Sequence, residues 1–163
     1  MNRQAILLPR GTSPHGPASS QGFTIIELIV VMGIIAVLIA VAFPAFSNYR
    51  LRAQNSAASV DIRTIEKDIF AYFTEYSTYP PDLATVGRNT LKDPWGNPYQ
   101  YLRITAPGDG RQDTVLGDIN TDFDLYSRGV DGVSVQSVND PSSSDDMLRV
   151  SDGAAVIRVG DYF

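Results

Sequence analysis

Between Gln21 and Pro44 the chain reads Q-G-F-T-I-I-E-L-I-V-V-M-G-I-I-A-V-L-I-A-V-A-F-P. Leu28 to Phe43 is an uninterrupted apolar run of sixteen residues, and the stretch from Phe23 to Phe46 makes twenty-four. About 20 helical residues cross the hydrocarbon core of a bilayer, so this stretch is long enough to span one. Pro44 can kink such a helix without ending it. Glu27 stands near the start of the stretch, where a carboxylate in hydrocarbon costs about 2.5–3.5 kcal/mol on insertion scales unless it is paired. The segment therefore requires a membrane or neighbouring apolar surface, and Glu27 requires water at its edge or a partner.

Three readings fit those residues. Ala40-Val41-Ala42 offers an A-x-A site after an apolar run, as in a secretory signal peptide. Against that reading, the upstream bases Arg3 and Arg10 lie far from the run and Glu27 occupies its start. The second reading is a plain membrane anchor in which Glu27 reaches the interface and does nothing more. The third is a cleavage between Gly22 and Phe23, with residues 1–22 as a removed leader and Glu27 working in assembly.

Downstream, "SNYRLRAQNSAASVDIRTIEKDIFAYFTEYSTYPP" keeps a helical rhythm. Val60, Ile62, Ile65, Ile69, Tyr72, Phe73 and Tyr76 recur at threes and fours to give one apolar face. Pro80 and Pro81 stop it. A continuous helix from Thr24 to Tyr76 would be about 80 Å long at 1.5 Å per residue. Its first half is apolar all round and its second half amphipathic. This pattern divides the chain into a leader (1–22), a membrane or core helix (23–46), and a head (47–163) that includes the amphipathic half of the helix.

Past Pro81 the pattern changes to turns and short strands. Asn97–Thr105 alternates as a strand with Tyr99, Tyr101 and Arg103 on one face, and "APGDGRQD" is a turn. Asp122–Gly129 reads as a second strand and "GAAVIRVGDYF" as a third. "GVDGVSVQSVNDPSSSDD" between them is a loop rich in Ser and Asp. The expected fold class is α+β: a small antiparallel sheet set against the amphipathic half of one long helix.

Composition narrows the function. Thirteen bases face eighteen acids, a net charge of −5; without Arg3 and Arg10, eleven bases remain and the balance is −7. No Lys/Arg cluster offers phosphate contacts, which argues against nucleic acid as a partner. Cysteine is absent, and the single histidine, His15, lies in "LPRGTSPHGPASS", a Pro/Ser/Gly-rich stretch upstream of Gly22. Ser-His-Asp and Cys-His catalysis are therefore excluded from the head, and no enzymatic activity is expected.

The sequence G-F-T-I-I-E ahead of an apolar helix resembles the class III signal of type IV pilins and type II secretion pseudopilins. Gly22, Phe23, Thr24 and Glu27 match its G|F-T-x-x-E pattern position for position, and Pro44 falls where such helices commonly carry proline. The resemblance implies cleavage after Gly22 by a prepilin peptidase, N-methylation of Phe23, and assembly roles for Thr24 and Glu27. "DPWGNPYQY" (93–101) followed by "DLYSRGVDG" (124–132) resembles the head of the type II secretion major pseudopilins. In the first block Asp93 is expected to cap a turn and Trp95 to pack into the core.

What the resemblance implies is a homopolymer joined through its N-terminal helices, held in the inner membrane with its head in the periplasm. Its further partners would be minor pseudopilins, the inner-membrane assembly platform and membrane lipid. It also implies a bound calcium ion in the loop after the "YSRGVDG" strand, with Asp131, Asp145 and Asp146 as ligands and Asp140 as a fourth. "DINTDFD" (118–124) spaces its acids as an EF-hand loop begins but has Phe123 at the sixth position and Gly129 at the twelfth, so it reads as an Asx-rich turn. A type IV pilin of a surface fibre, and a membrane-anchored calcium-binding module that never polymerises, stay open as alternatives.

Overall fold

The structure, a computed structural model, describes residues 22–162. The expected leader, apart from Gly22, lies outside the described residues. Helix α1 runs from Ile25 to Tyr76 with Pro44 inside it. Six strands follow: β1 Gln100–Arg103, β2 Gln112–Asp113, β3 Gly117–Asp118, β4 Phe123–Ser127, β5 Met147–Val150 and β6 Ala155–Arg158. The chain forms two compact units that part between Ala42 and Phe43.

In the first unit, the side chains of α1 lie open all round, from Ile25 to Val41. Among the described residues nothing covers them, and this is the one helix there long and apolar enough to cross a membrane. At Pro44 the missing N–H frees a carbonyl one turn back, while its own carbonyl accepts the Ser47 hydroxyl at 2.9 Å.

In the second unit α1 buries one stripe, Ala58, Ile62, Ile65 and Ile69, spaced four, three and four as a helix face demands. Ile62, Ile65 and Ile69 lie on the face expected from the sequence, whereas Val60 and Tyr76 face outward. That stripe packs on a four-stranded antiparallel sheet ordered β1-β4-β5-β6. Alternation along the strands sorts the two faces. Phe123, Leu125 and Met147 join the helix in one core, while Leu148 and Val150 join Val138 and Val159 in a second core behind the sheet.

Two hydroxyls help seat the sheet: Tyr99 donates to Asp61 on α1 at 2.9 Å and Tyr101 donates to the Pro80 carbonyl at 2.8 Å. β2 and β3 make a separate two-stranded ribbon within the β1–β4 connection. Strand β5 was absent from the sequence expectation, which held β1, β4 and β6. The turn expected over 106–113 runs into β2 at its end.

Candidate functional site

Phe23 and Thr24 precede the first turn of α1 in a non-helical conformation. Thr24 Oγ1 accepts the Glu27 N–H at 3.3 Å and the Thr24 carbonyl accepts the Leu28 N–H at 3.2 Å. Thr24 is thus the N-cap, and T-x-x-E places Glu27 three residues on, the spacing of a capping box. The T-x-x-E spacing carries this capping signal inside the cleavage motif, a role of Thr24 that the sequence analysis missed. The exposed Glu27 carboxylate sits in the first helical turn, where backbone N–H groups and the helix dipole favour a negative charge. Among the described residues it has no ion-pair partner.

The two sequence blocks of the head lock together. Asp93, almost fully buried, accepts the N–H groups of Trp95 at 3.1 Å and Asn97 at 2.8 Å with one oxygen, closing a turn in which Gly96 has φ +98°. Its other oxygen accepts the Ser127 hydroxyl at 2.5 Å. Asn97 donates to the Gly129 carbonyl at 3.0 Å. Trp95 packs at the margin of the helix-side core. "DPWGNPY" and "YSRG" are therefore halves of one structural clasp, and Asp93 caps its turn as the sequence suggested.

The aspartates assigned to calcium separate into different tasks. Asp145 Oδ2 accepts the N–H groups of Val130 and Asp131, at 2.6 and 3.1 Å. This close approach requires Gly129, whose φ is +63° and where a Cβ would lie 2.5 Å from Asp145. Asp131 Oδ1 accepts the Val133 N–H at 2.7 Å. Asp140 caps the short 3₁₀ turn Pro141–Ser143 through Ser142, bonds that hold its carboxyl below the usual range.

Oδ2 of fully buried Asp146 accepts from Arg111 at 2.8 Å and from the Ser134 hydroxyl at 2.5 Å. Burial pushes its carboxyl up to about 6, with Ser134 and Arg111 pulling the other way. Asp131 and Asp145 share one turn; Asp140 and Asp146 do not join them. Among the described residues no three acidic, His or Cys side chains are gathered to hold a metal ion. The four aspartates are thus not gathered as one ligand set in this structure, and Asp146 Oδ1 is buried without a hydrogen-bond partner.

Two buried arginines carry the polar interior, and neither stood out in the sequence. Arg149 lies on the helix side of β5 with Met147. It reaches Glu66 of α1 at 2.7 Å and both oxygens of Asp122 at 2.7 Å each, with its Cζ 3.9 Å from the centre of the Phe123 ring. Arg63 supports the same Glu66 at 2.9 Å. The "DINTDFD" segment serves this interior: Asn120 donates to buried Asp124 at 2.9 Å, and Asp122 clamps Arg149. Desolvation raises the Asp124 carboxyl above its usual range.

A capped apolar helix that opens on a cleavage-type motif, with a four-stranded antiparallel head, defines the pilin-like class of α+β proteins. The family model described as "Prokaryotic N-terminal methylation motif" matches residues 17–43. The chain is 34% identical over 140 residues to type II secretion system core protein G of Pseudomonas aeruginosa, covering 73% of this chain and 89% of that one. It is 30% identical over 131 residues to the protein of the same name in Vibrio cholerae, covering 68% and 81%. Type IV major pilin protein PilA of Myxococcus xanthus is 31% identical over 90 residues, 55% of this chain but 40% of the pilin. No solved structure matches the chain. The chain belongs to the type II secretion core protein G family, the major pseudopilins.

Proposed function

We propose that the chain is a structural subunit of the type II secretion pseudopilus, cut after Gly22 by a prepilin peptidase and polymerised to drive protein export across the outer membrane. It performs no covalent chemistry of its own. The observation that carries this reading is the pairing of Gly22-Phe23-Thr24 with Glu27 at the mouth of a helix whose apolar side chains have no cover among the described residues. Fully burying one large apolar side chain stabilises by about 1.5–3 kcal/mol, so such a run does not stay in water. In the precursor its cover is lipid, with the head in the periplasm. In the filament, reached through the inner-membrane assembly platform, its cover is other subunits, minor pseudopilins among them.

Cleavage gives Phe23 an α-amino group, a cation at the positive end of α1. In an apolar filament core that amine and Glu27 each need an opposite charge. A neighbouring subunit displaced along the filament axis supplies both, and a subunit in the wrong register leaves two charges unpaired. Glu27 thus sets register as well as attraction. Thr24 fixes the first turn from which both groups project.

Mass spectrometry of the protein purified from envelopes of cells with the complete machinery tests the reading. An N-methylated chain beginning at Phe23 is expected. An uncut chain beginning at Met1, or one beginning at Phe43 after the A-x-A site, would overturn it. If Phe23 is the start but the subunits form long surface fibres at native expression, the type IV pilin reading takes its place.

A further inference from the structure

The connection between β4 and β5, residues 128–146, is nineteen residues long and carries all four aspartates expected to bind calcium. A loop of that length without regular strands or a long helix needs something to hold it. Protein groups alone do so at several points. The Gln112 backbone bonds to the Gln136 carbonyl and the Val138 N–H, at 3.0 Å each, so that β2 forms a short parallel bridge with the loop. Thr114 donates its N–H to Asn139 at 2.7 Å, and the Gln136 side chain donates to the carbonyls of Gly108 and Gly110.

At the centre of this stitching lies Arg111, 3% exposed. Its guanidinium bonds the Ser134 hydroxyl and Asp146 from one side and lies 4.4 Å from the centre of the Tyr126 ring. Ser134 and Asp146 are the near and far parts of the loop, and they are bonded to each other as well. One positive charge therefore gathers the first half of the loop, its last residue and the strand beneath them. A divalent cation in a loop of this kind does the same work through oxygen ligands. Here the buried Asp146 carboxylate already has a cation from within the chain on its Oδ2, while its Oδ1 is buried without a hydrogen-bond partner.

We infer that the Arg111 guanidinium takes the place that the resemblance gives to calcium: it is the internal cation that ties the 128–146 loop to the head, and the head keeps its shape without a metal ion. This inference does not depend on filament assembly. It stands or falls with the folded head, whichever fibre the chain builds.

The test uses the full chain in detergent at neutral pH, with thermal unfolding followed by near-ultraviolet circular dichroism. Equal midpoints in excess EGTA and in excess calcium are expected. A structural calcium site well above its Kd would raise the midpoint by on the order of 10 °C, and a shift of that size would overturn the inference. Arg111→Met strands the Asp146 carboxylate and lowers the midpoint sharply, and adding Asp146→Asn to it recovers part of the loss. An Arg111→Met midpoint equal to the wild type would also overturn the inference. Should Arg111→Met fail to fold, the double variant carries the same comparison, and the wild-type response to EGTA decides by itself.

Discussion

Arg149 and Glu27 both stand among apolar neighbours in sequence, in M-L-R-V and in I-I-E-L-I, yet the molecule treats them differently. Arg149 is fully buried and fully answered within the chain, by Glu66 on α1 and Asp122 before β4. Glu27 is exposed, with no ion-pair partner among the described residues, on a helix whose apolar surface is equally open. A charge answered inside the chain serves folding, because its partners come together only when the head forms. On the proposed reading, a charge left open on an apolar surface serves assembly, because once that surface is covered only another molecule can answer it. The same contrast separates the two compact units: the head contains its own core, and the N-terminal helix awaits one.

Breaking the head's side of this contrast should give the larger effect on stability. Arg149→Met leaves Glu66 and Asp122 without their central cation, and removing one partner of a buried ionic cluster typically costs about 3–5 kcal/mol. Urea unfolding of the full chain in detergent should show a loss of that size. Membrane insertion, which depends on the apolar run, should be unchanged. A variant as stable as the wild type would mean that the cluster contributes nothing to folding.

On the helix side, Thr24→Ala removes the N-cap, a change worth about 0.5–2 kcal/mol to a helix terminus. The expected result is faster amide exchange confined to the turn from Ile25 to Leu28, with the head's unfolding midpoint unchanged. Slower filament formation should follow, because the first turn positions both Glu27 and the Phe23 amine. Unchanged exchange at Glu27 and Leu28 would remove Thr24 from that positioning role.

The sequence made legible those parts whose signals are local. The apolar run, the G-F-T-I-I-E motif and the Ile62-Ile65-Ile69 stripe are short-range patterns, and each has its counterpart in the structure. So do β1, β4 and β6, where alternation is visible. Strand β5 escaped because it follows a Ser/Asp run and carries an arginine at its centre. What makes Arg149 acceptable there is Glu66, eighty-three positions away. The ribbon of β2 and β3 has two residues on each side and too little alternation to register.

The aspartates teach a related lesson. Asp145 and Asp146 are neighbours in sequence, and a shared ligand set is the natural expectation. Entry into β5 turns them to different partners, backbone N–H groups of 130–131 for one and Arg111 for the other. The resemblance pointed to this loop as a calcium site, and no local pattern in the loop could reveal that Asp146 meets an arginine thirty-five positions upstream.

Glu27→Ala in cells carrying the complete assembly machinery tests the central contrast most directly, with filament yield measured beside processing at Gly22 and the unfolding midpoint of the head. The variant should be cut, inserted and folded like the wild type, and should fail to enter filaments when it is the sole copy. Filaments of wild-type yield from Glu27→Ala would contradict the assignment of Glu27 to a partner subunit.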